Sequence, residues 1–276
     1  MTGQFEYPLG PAQIEAFERD GAIHLPAVID SEWVERGREA CARVAMVETV
    51  EGAQAPDYFM RLRLWERDEV FKHFCTASPV PGIAAQLVRS DKMNLLYDQM
   101  FSIEPGSGDR TPWHNDLPYW PVRGRQVVTI WLAFDRIVKL NGALEFIRGS
   151  NRWDKRFRPF SVADDSGHTQ EPFDSGLDDE FVPLPDFDAE RDKHEFMSFD
   201  LEPGDAIAFH ALTVHASYPN TSTDMPRRAY SIRVTGSEVR YYAGPVWNVY
   251  IVNRSLKTGD VLDSDQYPVV FDARSS

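Results

Sequence analysis

The chain of 276 residues is poor in several things, and each shortage excludes something. It holds two cysteines, Cys41 and Cys75, too few for a disulfide framework or a cysteine-bound structural zinc. They are expected as reduced core residues of a cytoplasmic protein. No apolar run approaches the roughly 20 residues of a membrane-spanning helix. The opening "MTGQFEYPLG" has no basic stretch followed by an apolar one, so no secretory signal is read there. Basic residues are also scarce, 29 against 43 acidic ones, for a net charge of −14. That balance argues against nucleic acid or an anionic membrane as the main partner, although one buried arginine can still hold a small anion. What remains is 42% hydrophobic and 26% charged, the proportions of a globular protein with a sizeable core. A single domain over residues 1–276 is expected.

Local patterning changes along the chain. The part up to about residue 92 reads as helical. In "GPAQIEAFERDG", Pro11 stands near a helix start and Gly21 at its stop. A short strand is expected in 23–29, a second helix after Ser31 as N-cap, and further helix over 66–90. From about 93 to 253 the texture is β: "NLLYDQMFSI", "RQVVTIWLAF", "GALEFIRGS", "GDAIAFHALTVHAS", "RAYSIRVTG" and "VWNVYIVN" are short, rich in β-branched and aromatic residues, and separated by turn clusters. Helices followed by many strands, without β-α-β alternation, predict a mainly β fold with peripheral helices, a sandwich or barrel. Residues 164–195 stand apart, with twelve acidic residues against Arg191 and Lys193. They read as a lid over a site or as a solvated excursion.

The candidate chemistry begins at "TPWHNDLPYW", residues 111–120. With seven histidines and 43 acidic residues in the chain, about one His-x-Asp/Glu is expected by chance. His114-Asn115-Asp116 alone therefore decides nothing. In an extended segment, however, side chains two apart share a face, and the prolines on either side favour a bend over a regular ladder. A third ligand would come from "FHALTVHAS". His210 and His215 are five apart and would face opposite ways on one strand, so one of them at most belongs in the site. Two histidines and one carboxylate make the facial triad of non-haem iron(II) oxygenases, which leaves three coordination positions open. Downstream, "MPRRAYSIRV" carries Arg227, Arg228 and Arg233. Positions 227, 229, 231 and 233 share one face, so Arg227 and Arg228 point in opposite directions. An arginine inside a barrel needs a carboxylate to clamp.

Taken in order, "IEAFERDGAIHLPAVI", "HNDLPYWP", "TIWLAFD", "NGALEFIRGSN", "GDAIAFHALTVHAS" and "RRAYS" resemble the phytanoyl-CoA dioxygenase family of iron(II)- and 2-oxoglutarate-dependent oxygenases. The resemblance spans most of the chain, with 154–198 as its main gap. It implies a double-stranded β-helix (jelly-roll) core. It also implies Fe(II) on His114, Asp116 and His215, the last chosen over His210 by its "HAS" context. Arg227 would hold the far carboxylate of 2-oxoglutarate; it lies twelve residues after His215, one more than is common, so Arg228 stays open. Trp131 and Met100, with Gln99 and Thr129 nearby, would line the 2-oxoglutarate pocket, though Trp131 and Met100 also suit an ordinary core. Trp113, Tyr119 and Trp120 would shape a substrate mouth or simply pack the bend. Arg61 or Arg63 would be an upstream basic contact.

The function so implied is oxidation of a small organic molecule by O2, most simply hydroxylation, with succinate and CO2 released from 2-oxoglutarate. Asp116 occupies the position that halogenating relatives leave open, which disfavours halogenation. A binding protein on the same barrel, or a metal-dependent hydrolase on the same three ligands, are the alternatives. If the acidic segment covers the mouth, it would repel an acyl-CoA and favour a neutral or cationic substrate.

Overall fold

The computed structural model describes residues 7–47, 58–159, 181–244 and 248–274. Helix α1 (Pro11–Asp20) starts behind Gly10, whose N–H donates to the Gln13 side chain at 2.9 Å, and stops at Gly21 in the left-handed region, φ 85°. Strand β1 (Ala22–Leu25) follows, then α2 (Ser31–Val47). The α2 cap is Asp30 rather than Ser31: its carboxylate accepts the Trp33 N–H at 3.0 Å. Helices α3 (Glu69–Ala77) and α4 (Val80–Val88) fill the expected helical stretch. The N-terminal part is not wholly helical, because β2 (Tyr58–Leu62) pairs with the main sheet.

The other strands of the two larger sheets are β3 (Lys92–Ile103), β4 (Val127–Ala133), β5 (Leu144–Ile147), β6 (Phe196–Ser198), β7 (Ala206–His210), β8 (His215–Ser217), β9 (Arg227–Gly236) and β10 (Val269–Asp272). The large antiparallel sheet runs β1-β7-β4-β9-β3-β10, with β2 also on β3, and the smaller sheet runs β8-β5-β6. These two sheets form the jelly roll. Alternation decides which residues go where. On β9, Tyr230, Ile232 and Val234 join Met100, Ile130 and Leu132 in a core shared with Phe71, Phe74 and Ile83 from the helices. The other face turns Trp131, Ala133 and Ala229 toward Phe146, Ile207 and Phe209 inside the barrel.

Several expectations need correction. Met100 faces the helices, opposite Tyr230, and so cannot line an interior pocket. Arg61 pairs with Met100 across the ladder and shares that outer face; Arg63 is bound to Glu66 and the Tyr250 carbonyl. "GDAIAFHALTVHAS" is two strands in different sheets, so His210 and His215 are separated by a turn rather than by strand alternation. Of 246–253, Val249–Ile251 forms a 3-10 turn instead of a strand, and 245–247 lie outside the described residues. Of the acidic segment, 164–180 lie outside the described residues. Its described end is packed: Phe187 is buried against Trp113 and Trp153, and Arg191 binds Glu145 of β5 at 2.6 and 3.1 Å. Among the described residues, no helix is long and apolar enough to cross a membrane.

One buried acid makes the helix-side core sensitive to pH. Asp98 accepts the Tyr230 hydroxyl at 2.6 Å and the Trp65 N–H at 3.1 Å, while its Oδ1 has no partner among the described residues. Burial pushes its pKa up to about 6, against the lowering effect of those hydrogen bonds. A carboxyl raised in the folded state favours folding below its unfolded pKa and loses that contribution as pH rises through 6. Asp98→Asn should therefore gain stability relative to wild type between pH 4 and 7, by up to about 3 kcal/mol at 1.36 kcal/mol per unit. Denaturant melts across that range check it; a constant difference would contradict the assignment.

Candidate metal centre

His114 and His215 are 101 positions apart and meet as a bridge between two antiparallel segments. The His114 N–H donates to the His215 carbonyl at 3.0 Å and the reverse bond is 2.8 Å. Residues exchanging both bonds present their side chains on the same side, and the two rings lie 4.2 Å apart. Asn115 points the other way and locks the segment, donating to the Lys155 carbonyl at 2.8 Å. After Asp116 the chain turns into a 3-10 helix, Leu117–Tyr119, with Pro118 inside it. The bend expected from the prolines thus brings Asp116 back beside His114, with Oδ1 3.5 Å from Nε2. One ligand atom from each of His114, Asp116 and His215 lies within 4.8 Å of the others, a cluster ready for a metal ion.

The electrostatics fit a divalent ion. His114 Nδ1 donates to the Pro112 carbonyl at 2.8 Å and His215 Nδ1 to the Thr213 carbonyl at 3.0 Å. Since a carbonyl only accepts, both Nδ1 atoms carry the proton and both Nε2 lone pairs are left for a metal. Burial, with His114 nearby, pushes the His215 pKa down to about 3, so its ring is neutral at physiological pH. Burial pushes the Asp116 carboxyl up, but its polar neighbours, with the Arg233 charge among them, outweigh it and hold it well below the usual carboxylate range. Phe146 and Phe209 pack on His215 with ring centres 5.7 and 4.8 Å away. Together these provide two imidazoles and one carboxylate in an apolar setting, a donor set suited to iron or zinc.

His210 lies apart from the cluster. It donates Nε2 to the Arg125 carbonyl at 2.7 Å and accepts the Leu212 N–H on Nδ1 at 3.0 Å. It is a satisfied structural histidine that shapes the turn between β7 and β8.

Beside the triad, Thr129 donates its hydroxyl to Asp116 Oδ2 at 3.2 Å, so it supports the carboxylate directly. Thr129→Val should weaken metal binding about 10- to 100-fold, the usual effect of losing a ligand's supporting hydrogen bond. Unchanged metal affinity in a competitive chelator titration would contradict this. Further along the interior face, Gln99, Ser231 and Trp131 form one row across three strands. Gln99 donates to Met60 Sδ at 3.3 Å, and Ser231 Oγ is buried without a partner among the described residues. Nothing in the sequence gives Ser231 a role by itself; its place on the inner face follows from alternation with Arg227.

Arg227 is buried, donates Nη1 to the Gly142 carbonyl at 2.6 Å and lies 5.5 Å over the Trp131 ring. Gly142 is required there: its φ is 98°, and a Cβ would meet the Tyr218 carbonyl at 3.2 Å. Arg228 points outward and is clamped by Asp135 at 2.8 and 2.7 Å.

The aromatic candidates divide. Tyr119 packs edge-on against His114 at 5.9 Å and is half-buried. Trp113 is buried between Phe187 and Phe196, its N–H on Asp188 at 3.1 Å. Trp120 is buried with its N–H on the Tyr97 hydroxyl at 2.9 Å, which makes it packing beneath the bend rather than a mouth residue. Sequence reasoning puts Arg233 on the face of Arg227 but gives it no role; it is buried with Nε 3.9 Å from Asp116 Oδ2. Its even spacing from Arg227 is the available signal. A surface groove of about 340 Å³, lined by Ala12, Ala16, Ile23, His24, Met197 and Phe199 among others, shares no residue with this site.

The sequence profile described as "Phytanoyl-CoA dioxygenase (PhyH)" matches residues 17–229. A probable phytanoyl-CoA dioxygenase of Caenorhabditis elegans is 24% identical over 181 residues, covering 63% of this chain and 54% of that protein. The peroxisomal phytanoyl-CoA dioxygenase of Bos taurus is 24% identical over 181 residues, covering 64% and 49%. The chain thus spans about half the length of these curated relatives. Among solved structures, the non-heme alpha ketoglutarate dependent carbocyclase SnoK from nogalamycin biosynthesis superposes with a TM-score of 0.73 at 20% identity, covering 95% of this chain and 96% of that one. The epimerase SnoN, solved with Fe3+, alpha ketoglutarate and nogalamycin RO, gives 0.70 at 19% identity, covering 94% and 97%. At these identities the structural likeness speaks for the fold.

Proposed function

Because the chain belongs to the phytanoyl-CoA dioxygenase family, we propose that it is a non-haem iron(II)- and 2-oxoglutarate-dependent oxygenase acting on a small organic molecule, most simply by hydroxylation. The observation that carries this reading is the convergence of two Nδ1-anchored histidines and one ionised carboxylate, with a buried arginine on the same interior face of the barrel. Iron(II) held there would supply the oxidising chemistry, with dioxygen as oxidant and 2-oxoglutarate as the source of succinate and CO2.

The residues of the chain do the rest. His114, Asp116 and His215 would hold the metal from one side and leave its other side open. Thr129 fixes the Asp116 carboxylate through its hydroxyl. Arg227 offers a planar fork to the far carboxylate of 2-oxoglutarate, with Trp131, Ser231 and Gln99 as the walls of that pocket. Phe146 and Phe209 exclude water around His215, which keeps a reactive centre from discharging into solvent. Tyr119, against His114, is the aromatic placed best to touch a substrate. A cytoplasmic setting belongs to the same reading, supported by two buried free thiols.

Succinate release from 2-oxoglutarate, after anaerobic loading with Fe(II) and exposure to air, tests this directly. Iron-dependent succinate formation, even slow and without added substrate, supports the oxygenase. Zinc-dependent hydrolysis without succinate would favour the hydrolase, and no turnover with either metal would favour a binding protein.

A further inference from the structure

Three arginines lie on β9, and each has a different environment. Arg228 is clamped by Asp135, and Arg227 donates to the Gly142 carbonyl. Arg233 is 5% exposed, and its Nε and Nη1 have no hydrogen-bond partner among the described residues. Its surroundings are the faces of Tyr97 at 4.6 Å and Trp120 at 5.7 Å, plus Asp116 Oδ2, which at 3.9 Å is beyond hydrogen-bond reach. A guanidinium buried with unused donors is unfavourable unless something fills them. The aromatic faces hold its plane and leave its edge for a ligand.

Charge counting points the same way. The charged side chains buried at the site are Asp116, Arg227 and Arg233, a sum of +1. Adding iron(II) and doubly charged 2-oxoglutarate leaves that +1 unchanged. A substrate bearing one carboxylate brings the closed site to neutrality, which a low-dielectric interior favours.

We infer that Arg233 anchors an anionic group, a carboxylate, on the substrate, and so selects for acids at a position next to the metal. The inference rests on the oxygenase reading for the location of the metal and 2-oxoglutarate. It reverses the expectation of a neutral or cationic substrate drawn from the acidic segment 164–195, since it puts a fixed, buried cation beside Asp116.

The test uses the full chain, loaded anaerobically with Fe(II) and saturated with 2-oxoglutarate so that Arg227 is occupied. The probes are pentanoate, benzoate and phenylacetate, each compared with its primary amide. Binding is read from tryptophan fluorescence, Trp120 lying against Arg233, and from thermal shift. At least one acid should bind about tenfold or more tightly than its amide, the scale of one charge-assisted hydrogen-bonded contact. Arg233→Gln should erase that discrimination and leave 2-oxoglutarate affinity within about threefold, while Arg233→Lys should keep part of it. Acids and amides binding alike, no acid binding at all, or discrimination surviving in Arg233→Gln would overturn the inference. So would a loss of metal affinity in Arg233→Gln with discrimination intact, because Arg233 would then only position Asp116. The wild-type comparison of acid and amide decides even if Arg233→Gln does not fold. If the wild type takes up no 2-oxoglutarate, the oxygenase reading fails by itself. The same acid-amide comparison in Arg227→Ala, without 2-oxoglutarate, then judges Arg233 separately.

Discussion

Replacing His215 with alanine should lower iron(II) affinity by at least about 100-fold and remove succinate formation. The magnitude exceeds that of losing a supporting partner, which is about 10- to 100-fold, because a ligand itself is lost from a three-ligand site. His210→Ala is the control five residues away. His210 makes two hydrogen bonds to backbone groups and none to the triad, so its loss should destabilise the fold by about 1–3 kcal/mol and leave iron affinity within about tenfold. Equilibrium dialysis with iron(II), together with denaturant melts, separates the two. Loss of iron in His210→Ala with retention in His215→Ala would show the ligand assignment to be wrong.

Arg227→Ala should weaken 2-oxoglutarate binding by at least about 30-fold, since truncating one partner of a buried, hydrogen-bonded charge pair costs about 2–5 kcal/mol. Iron affinity should stay near wild type, because Arg227 serves the cosubstrate and not the metal. Arg228→Ala should behave oppositely. It removes the Nε and Nη2 donors from Asp135, leaving only the backbone N–H of residue 228 and Arg38 at 3.4 Å, so its melting temperature should fall with 2-oxoglutarate affinity unchanged. Calorimetric titration of 2-oxoglutarate into both variants checks the pair. Equal affinities would remove Arg227 from the cosubstrate site.

What can be read in the sequence follows from how local the physics is. Period-2 alternation is local, so the sequence alone puts Arg227 and Arg228 on opposite faces, where they are found. The same rule applied to Gln99 and Met100 rejects one of them, and the pairing with Tyr230 shows it to be Met100. The His114–His215 bridge is non-local, and only the ordered resemblance to a family links the two in sequence. The turn at 211–214 is hidden because it is mostly apolar and buried, without glycine or proline; the His210 ring accepts its Leu212 N–H and the Ser150 hydroxyl its Val214 N–H instead. "VWNVYIVN" has strand composition, yet Ile251 is buried in a 3-10 turn and the Tyr241 hydroxyl accepts from Asn253 N–H at 3.0 Å. Strand β10, four residues at a sheet edge, has too short a pattern to be distinguished from loop. Arg233 shows its face in sequence, but its neighbours Tyr97, Trp120 and Asp116 come from two other segments.

The central claim is that one site holds iron(II) and 2-oxoglutarate together. Anaerobic titration of 2-oxoglutarate into the iron(II)-loaded chain, followed by metal-to-ligand charge-transfer absorption, tests it most directly. A band should appear that saturates at one equivalent, is absent without iron and in His215→Ala, and persists in His210→Ala. No band at saturating 2-oxoglutarate, or binding equally tight without metal, would contradict it.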